Sequence, residues 1–169
     1  LSTFKQPAGR SNGMYFDADG NLISCADEKN ELWSINPSGD VTVLVRDYKG
    51  KLLNGPNDVW IRPGGGLYFT DPFYKRPWWS RASMEQDGKH VYYLLSDRRE
   101  LVIAAKDFNQ PNGIIGTPDG KTLYISDIGA KKTYSFDIQP DGTLTNRQLV
   151  CEEGSDGMTI DSAGNIAIG

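Results

Sequence analysis

The sequence predicts an all-β protein, a β-propeller of which about three and a half blades are present, because one pattern occurs four times. In each copy an Asn or Asp precedes Gly or Asp, a short apolar strand, a glycine turn and a second apolar strand. The leading residues stand at positions 12, 57, 112 and 156, so the copies start 45, 55 and 44 residues apart. A period of about 40 to 50 residues with several short strands per unit is typical of propellers.

The first repeat, about residues 11–47, is predicted to form a blade of four strands. Its apolar and β-branched residues alternate with polar residues in four short segments, which favours strands over helices. Turn signals such as Asp19-Gly20 separate the segments. The predicted strands are Met14–Phe16, Leu22–Ala26, Glu31–Ile35 and Val41–Val45.

The second repeat, about residues 55–107, is longer than the others because of the segment Pro72–Gly88. Long loops within compact repeats are frequently functional, and this one contains the adjacent Trp78 and Trp79. We expect the loop to form a wall or lid over a central pocket, where both tryptophans would contact a substrate. The alternative is that its aromatic residues pack against a neighbouring blade.

The third repeat, about residues 110–153, is predicted to have four strands, whereas the fourth, residues 154–169, has only its first two. Known propellers need at least about four blades to close a ring, and the last apolar strand would have an unpaired edge. We therefore expect residues 1–169 to form a single partial propeller domain that belongs to a longer propeller. Closure of the ring by self-association is the alternative.

Composition and charge exclude several classes of function. The chain has 18 basic and 22 acidic residues and a net charge of −4, with no basic patch interleaved with aromatic residues, so we expect no nucleic-acid partner. No segment approaches the roughly 20 apolar residues of a membrane-spanning helix, so we expect no membrane partner. Cys25 and Cys151 are predicted to be free, buried thiols. The single histidine, His90, is predicted to lie at the edge of a strand rather than to act as a general base.

Equivalent positions of the repeats carry the candidate functional residues. Inner strands of successive blades line a common axis, so we expect Asn57, Asn112 and Asp156 to converge. Their amide and carboxylate oxygens are hard donors that suit Ca²⁺ or Mg²⁺. Asn12 occupies the same position in the first repeat, as a further ligand or a substrate contact. Asp58 adds a second carboxylate, which we expect to contact the substrate. Since Asn-Gly and Asp-Gly are also ordinary turn signals, a purely structural turn is an equally weighted alternative.

A second set of acidic residues ends the second strand of three repeats. These residues are Asp27, Asp71 and Asp127. Their regular placement favours a structural role, in which each carboxylate accepts hydrogen bonds from backbone N–H groups at a corner of its blade.

Several of these segments resemble the family of gluconolactonase, regucalcin and luciferin-regenerating enzyme. Gly55–Val59 followed by Leu67–Pro72 is similar to the most recognisable stretch of bacterial gluconolactonases, and the preceding Leu52–Asn54 also fits. Pro111–Ile114 and Ser155–Met158 resemble the two later metal-site motifs of the family. The resemblance covers essentially the whole chain, in the same order and with the same spacing.

The resemblance implies a six-bladed propeller with a catalytic divalent cation, Ca²⁺ in first place and Mg²⁺, Mn²⁺ or Zn²⁺ as alternatives. Asn112 and Asp156 would bind the ion, and Asn57 would bind it too or hold the substrate beside it. Asp156 would also be the general base. The family's remaining ligand, a glutamate in a Glu-Gly-Pro motif, has no counterpart in this sequence.

The function that the resemblance implies is hydrolysis of a sugar lactone such as gluconolactone. The cation would polarise the lactone carbonyl as a Lewis acid, and the partner would be a small lactone or ester. The alternative is a non-enzymatic propeller of the NHL or strictosidine-synthase-like sort that binds a ligand or a partner. Oxygen donors at matching positions of three repeats favour the enzyme, because a binding propeller does not require them.

Overall fold

The structure of residues 2–169, a computed structural model, consists of sixteen β-strands joined by turns and loops. The described residues contain no helix that is long and apolar enough to cross a membrane. The strands are β1 (Ser11–Phe16), β2 (Leu22–Ala26), β3 (Glu31–Ile35), β4 (Val41–Val45), β5 (Asp47–Tyr48), β6 (Lys51–Leu52), β7 (Val59–Ile61), β8 (Leu67–Asp71), β9 (His90–Leu94), β10 (Leu101–Ala105), β11 (Pro111–Gly116), β12 (Thr122–Asp127), β13 (Lys132–Ile138), β14 (Leu144–Cys151), β15 (Met158–Ile160) and β16 (Ile166–Ile168).

The strands form three complete blades and the first half of a fourth. Strands β1 to β4, β7 to β10 and β11 to β14 each make a four-stranded sheet in sequence order, and all neighbouring strands are antiparallel. The pair β15–β16 begins the next blade, and the hairpin β5–β6 lies between the first two. The predicted three and a half blades are thus confirmed.

The first strands of the blades line the inner side of the arc. Strand β1 packs against β7, β7 against β11, and β11 against β15. Backbone hydrogen bonds join these strands directly, since Gly13 N–H donates to the Asn57 carbonyl (2.7 Å) and Gly113 N–H to the Ser155 carbonyl (3.3 Å). Corresponding positions of successive blades are therefore brought side by side.

Apolar side chains are buried between the blades in two clusters. One contains Trp60 and Tyr68 of the second blade together with Ile114 of the third. The other contains Ile23 of the first blade together with Phe69 of the second. Fully burying a side chain of this size contributes about 1.5–3 kcal/mol, so contacts between blades fix the angle at which each inner strand meets the next.

Gly13 lies where the first two blades are in direct contact. A methyl group at this position would clash with Oδ1 of Asp58 and would lie 2.6 Å from the carbonyl oxygen of Asn57. Because the backbone oxygen can move only with its blade, we expect Gly13→Ala to lower the free energy of unfolding by about 2–3 kcal/mol.

Denaturant unfolding of this chain measures the effect of Gly13→Ala. The matched control is Gly157→Ala, the equivalent position of the fourth repeat, where a methyl group would meet no atom within 4 Å. We expect the control to change stability by less than about 0.5 kcal/mol. Equal destabilisation of the two variants would show that close contact between blades is not the reason for the glycine.

The long loop of residues 72–88 is anchored to the first blade. Arg76 Nε donates to Oδ2 of Asp27 over 2.6 Å, and Trp79 Nε1 donates to the Asp27 carbonyl over 2.9 Å. The loop therefore connects two blades through one residue at the end of β2, and its central part has a fixed position over the inner strands.

The structure also tests the sequence predictions on the cysteines and the histidine. Cys25 and Cys151 are free thiols as predicted, but only Cys25 is buried, and the predicted burial of Cys151 is wrong because its side chain is half-buried. His90 is the first residue of β9, and its Nε2 lies 2.8 Å from Oδ1 of Asp87. His90 does not line the cavities described next.

Candidate active site

The four leading residues of the repeats lie at equivalent places on the inner strands. Asn12 and Asn112 are the second residues of β1 and β11, whereas Asn57 and Asp156 lie two residues before β7 and β15. Together they surround two adjoining cavities, which we call the central cavity. The structure therefore brings together all four positions that the repeat pattern singles out.

Three of these residues line both parts of the central cavity. They are Asn12, Asn57 and Asp156. Within residues 2–169, none of their side chains has a hydrogen bond to another protein group. The larger part, about 430 Å³, is also lined by Tyr74, Arg76, Asn112 and Ile128. The smaller part, about 200 Å³, is also lined by Gly13, Asp58 and Gly157.

The turn interpretation of the Asn-Gly pairs is wrong for the first and third repeats. Asn12-Gly13 and Asn112-Gly113 lie within strands β1 and β11 and not in turns. Neither the asparagines nor these glycines are among the residues with positive φ. The next blade lies close to both glycines, since a methyl group on Gly13 would lie 2.6 Å from the Asn57 carbonyl oxygen and one on Gly113 would lie 3.2 Å from the Asp156 carbonyl oxygen. Turn formation therefore does not explain these Asn-Gly pairs.

Asn112 has a buried amide oxygen without a partner. Its side chain is 2% exposed, and its Nδ2 donates to the hydroxyl of Tyr74 over 2.9 Å. Its Oδ1 accepts no hydrogen bond within the described part of the chain. A buried, unpaired polar atom costs about 1–3 kcal/mol, and a cation in the cavity would remove this cost.

Asp58 is a structural bridge rather than a free carboxylate. Its Oδ2 accepts the N–H of Ile114 in the third blade (3.1 Å), and its Oδ1 accepts the N–H of Val59 (2.9 Å). Burial raises the pKa of Asp58 to about 6, although these two N–H groups lower it and the nearby Asp156 raises it slightly. Its position on the smaller cavity leaves the predicted substrate contact open, but its oxygens already hold two inner strands together.

The structural role predicted for the second acidic set is confirmed at Asp71 and Asp127. Asp71 accepts the N–H groups of Asn54 and Gly55, both over 2.8 Å, just before Asn57. Asp127 accepts the N–H groups of residues 109 and 110, both over 2.7 Å, just before Asn112. Each carboxylate therefore fixes the segment that leads to a cavity residue.

Asp27 differs from the other two members of its set. Its carboxylate binds the Arg76 side chain of the long loop instead of backbone N–H groups. Burial raises the pKa of Asp27, and the Arg76 guanidinium opposes this shift. Asp27, which follows the second strand of the first blade, thus positions a loop of the second blade.

The two predicted tryptophan contacts lie outside the central cavity. Trp78 and Trp79 line a neighbouring groove. Trp79 donates to the Asp27 carbonyl of the first blade, which agrees with packing against a neighbouring blade. Trp78 is 38% exposed, and the guanidinium of Arg10 lies 4.1 Å from the centroid of its ring. Contact of either tryptophan with a substrate stays a prediction. The same loop instead brings Tyr74 and Arg76 into the cavity. No repeat pattern marks these residues, because they belong to the insertion.

The donors of the central cavity fit a hard divalent cation. Asn57, Asn112 and Asp156 offer two amide oxygens and one carboxylate, which are typical ligands of Ca²⁺ and Mg²⁺. The unpartnered Oδ1 of Asn112 is the observation that supports this fit. The part of the chain that the structure describes has no group of three His, Cys, Asp or Glu side chains suited to a metal. A site that used only those residue types is therefore not present there.

A larger groove of about 670 Å³ opens between the first two blades, at the end where their strands turn. It is lined by Asp17, Arg62 and Arg98 among others, and it includes none of the leading residues of the repeats. Its size alone does not make it the site, whereas the central cavity combines buried polar side chains with free oxygen donors.

The fold and the site define a class of protein, a β-propeller whose inner strands present amide and carboxylate oxygens to a central cavity. Residues 2–169 match the model of the family described as SMP-30/Gluconolactonase/LRE-like region. The chain belongs to this family. The resemblance inferred from the sequence motifs is thereby confirmed.

Individual relatives agree with this assignment. The gluconolactonase of Zymomonas mobilis is 28% identical in an alignment 177 residues long, which covers 96% of this chain and 49% of that protein. The solved structure of a gluconolactonase from Xanthomonas campestris is 31% identical with a TM-score of 0.83, covering 92% of this chain and 54% of that one. The calcium-binding protein regucalcin from Agrobacterium tumefaciens is 20% identical with a TM-score of 0.57, covering 92% and 65%.

These comparisons have two consequences. The likeness to solved structures of the family confirms the predicted fold class, a six-bladed propeller present in part. The chain spans about half the length of the gluconolactonase relatives, 49% of one and 54% of the other.

Proposed function

We propose that the protein is a metal-dependent hydrolase that opens a sugar lactone in the central cavity. The observation that carries the proposal is the set of side-chain oxygens at equivalent positions of three blades, with the Oδ1 of Asn112 buried and unpartnered. The similarity to gluconolactonases from two bacteria supports the substrate class.

The cation would be held by Asn57, Asn112 and Asp156, and Ca²⁺ is the ion that we propose. Bound there, it would polarise the lactone carbonyl and stabilise the negative charge that develops on its oxygen. Tyr74 accepts the Nδ2 hydrogen bond of Asn112 and so directs the amide oxygen away from itself. Orienting contacts of this kind are commonly worth 10- to 100-fold in metal affinity or activity.

Asp156 is the proposed general base. It is solvent-exposed and lines both parts of the cavity, where a water molecule can reach it. Its carboxylate takes a proton from water, and the water oxygen forms a bond to the lactone carbonyl carbon. The bond between that carbon and the ring oxygen breaks, and the ring oxygen takes the proton. The product is an open-chain hydroxy acid.

A panel of lactones with Ca²⁺, Mg²⁺, Mn²⁺ or Zn²⁺ tests the proposal, in the complete protein that carries this chain. We expect turnover that requires a divalent cation and stops when a chelator is added. Absence of turnover with every lactone and cation, from a folded protein, would refute the lactonase proposal and favour a ligand-binding propeller.

A further inference from the structure

Arg76 is the only cationic side chain among the described residues that line the central cavity. The other lining groups are amides, two carboxylates, a phenol, an isoleucine and glycines. A guanidinium in the wall of a cavity built for a divalent cation is electrostatically unfavourable, unless an anion binds opposite to it. The Asp27 carboxylate is one such anion, and it holds the guanidinium at a single edge.

Contacts with a carboxylate of the first blade and with two aromatic rings fix the position of Arg76. Its Nε donates to Asp27 over 2.6 Å, and this is the only hydrogen bond of its side chain to the protein within residues 2–169. Its guanidinium carbon lies 5.5 Å from the ring centroid of Tyr74 and 5.8 Å from that of Trp78, so the group is in cation–π range of two aromatic rings. The side chain of Arg76 is 29% exposed.

The terminal amino groups of Arg76 are left for a ligand. Arginine has five N–H donors in a planar fork, and the Asp27 contact uses only the Nε edge. The edge formed by the two terminal nitrogens matches the two oxygens of a carboxylate, which is the strongest common use of this geometry. Held at one edge and free at the other, the guanidinium is ready to receive an anionic group.

We propose that Arg76 binds a carboxylate of the substrate, so that the preferred substrate is a sugar lactone with a free acid group in addition to its lactone ring. This inference rests on the lactonase function proposed above and specifies its substrate class. The lactone carbonyl lies at the oxygen donors of the inner strands, and the acid group lies at the loop wall. Arg76 is then a residue that determines specificity.

A matched pair of lactones tests this proposal. D-Glucaro-1,4-lactone and D-glucono-1,4-lactone have the same ring and differ at the last carbon, which is a carboxylate in the first and a hydroxymethyl group in the second. We expect kcat/KM of the complete protein to be at least tenfold higher for the glucaro-lactone. A charge-assisted contact of about 1.5–3 kcal/mol corresponds to a ratio of roughly 10 to 100.

Variants of Arg76 assign the preference to this side chain. We expect Arg76→Gln to lower the ratio of kcat/KM values at least tenfold, and Arg76→Lys to lower it less, because lysine keeps the charge but not the fork. The control is Arg99→Gln, which removes an equal charge from an exposed residue outside the cavity. We expect the control to leave the ratio unchanged. Circular dichroism checks that each variant is folded.

Each outcome decides the inference. A wild-type protein that prefers the neutral lactone, or an Arg76→Gln variant that keeps the preference for the acidic one, would overturn it. If neither lactone is hydrolysed, the lactonase proposal fails. Calorimetric binding of the same two lactones in the presence of Ca²⁺ then tests whether Arg76 binds the carboxylate. Tighter binding of the glucaro-lactone that is lost in Arg76→Gln and reduced in Arg76→Lys supports the carboxylate contact, and equal binding of the two lactones overturns it.

Discussion

The Asp156→Ala variant is expected to lose both cation binding and lactone turnover. Asp156 is the only carboxylate in the proposed ligand set and also the proposed base, so its removal affects two roles at once. A ligand at 100 times its dissociation constant stabilises a folded protein by about 2.7 kcal/mol. We expect this Ca²⁺-dependent stabilisation to disappear in the variant. Removing the base should lower kcat by a factor of at least about 100.

Thermal unfolding with and without Ca²⁺ measures the first effect without reference to activity. Glu152→Ala is the matched control, because Glu152 is an exposed acidic residue of the same segment that does not line the cavity. The control should keep the full cation-dependent shift. A comparable shift in Asp156→Ala would show that Asp156 is not a ligand, and normal turnover would show that it is not the base.

The second large effect concerns the pH dependence of stability at Asp71. Burial raises the pKa of this carboxyl to about 7, although the N–H groups of Asn54 and Gly55 and the Arg81 guanidinium lower it. The folded protein therefore holds the proton more tightly than the unfolded chain does, so this group stabilises the fold at low pH. That contribution is lost as the pH rises towards 7.

Asp71→Asn removes this titration. The variant loses a hydrogen-bond acceptor and is expected to be less stable than the wild type at pH 5. Between pH 5 and pH 8 the difference in the free energy of unfolding between variant and wild type should change by about 2.5 kcal/mol in favour of the variant, since one pKa unit corresponds to 1.36 kcal/mol. Denaturant unfolding at both pH values measures the shift.

An exposed residue supplies the control for the pH experiment. Hydrogen bonds from the side chain of Thr117 and from the N–H of Lys121 lower the pKa of Asp119. The stability difference for Asp119→Asn should therefore stay constant over the same interval, because a carboxyl with a lowered pKa is ionised in the folded and the unfolded state above pH 5. If the stability difference for Asp71→Asn stays constant from pH 5 to pH 8, the buried carboxyl does not titrate in that range.

The repeat pattern predicted the fold and the inner-strand residues because corresponding positions of successive repeats occupy corresponding places in the blades of a propeller. Asn57, Asn112 and Asp156 could be found from their spacing alone. The meaning of the following glycines could not be found in this way. The dipeptide Asn-Gly occurs both in turns and in strands that contact the next blade. Only the three-dimensional contacts of Gly13 distinguish the two cases.

The loop residues of the site escaped prediction for a different physical reason. An insertion has no equivalent in the other repeats, so spacing gives no information about which of its side chains point inward. The adjacent Trp78 and Trp79 were the most prominent residues of the loop, but both line a neighbouring groove, and Trp79 donates a hydrogen bond to Asp27 of the first blade. Tyr74 and Arg76 reach the cavity because the loop is bound at Asp27 and at Asn112.

The attachment of the loop 72–88 to Asp27 limits how this loop can be transferred to another propeller. The loop is encoded within the second repeat, but the residue that holds Arg76 is encoded 49 positions earlier, at Asp27. Grafting the loop onto a related propeller without an acid at that corner would leave the guanidinium unanchored. The unit that can be transferred therefore consists of two segments that are separate in the sequence. A chimera designed to transfer the loop must include Asp27 as well.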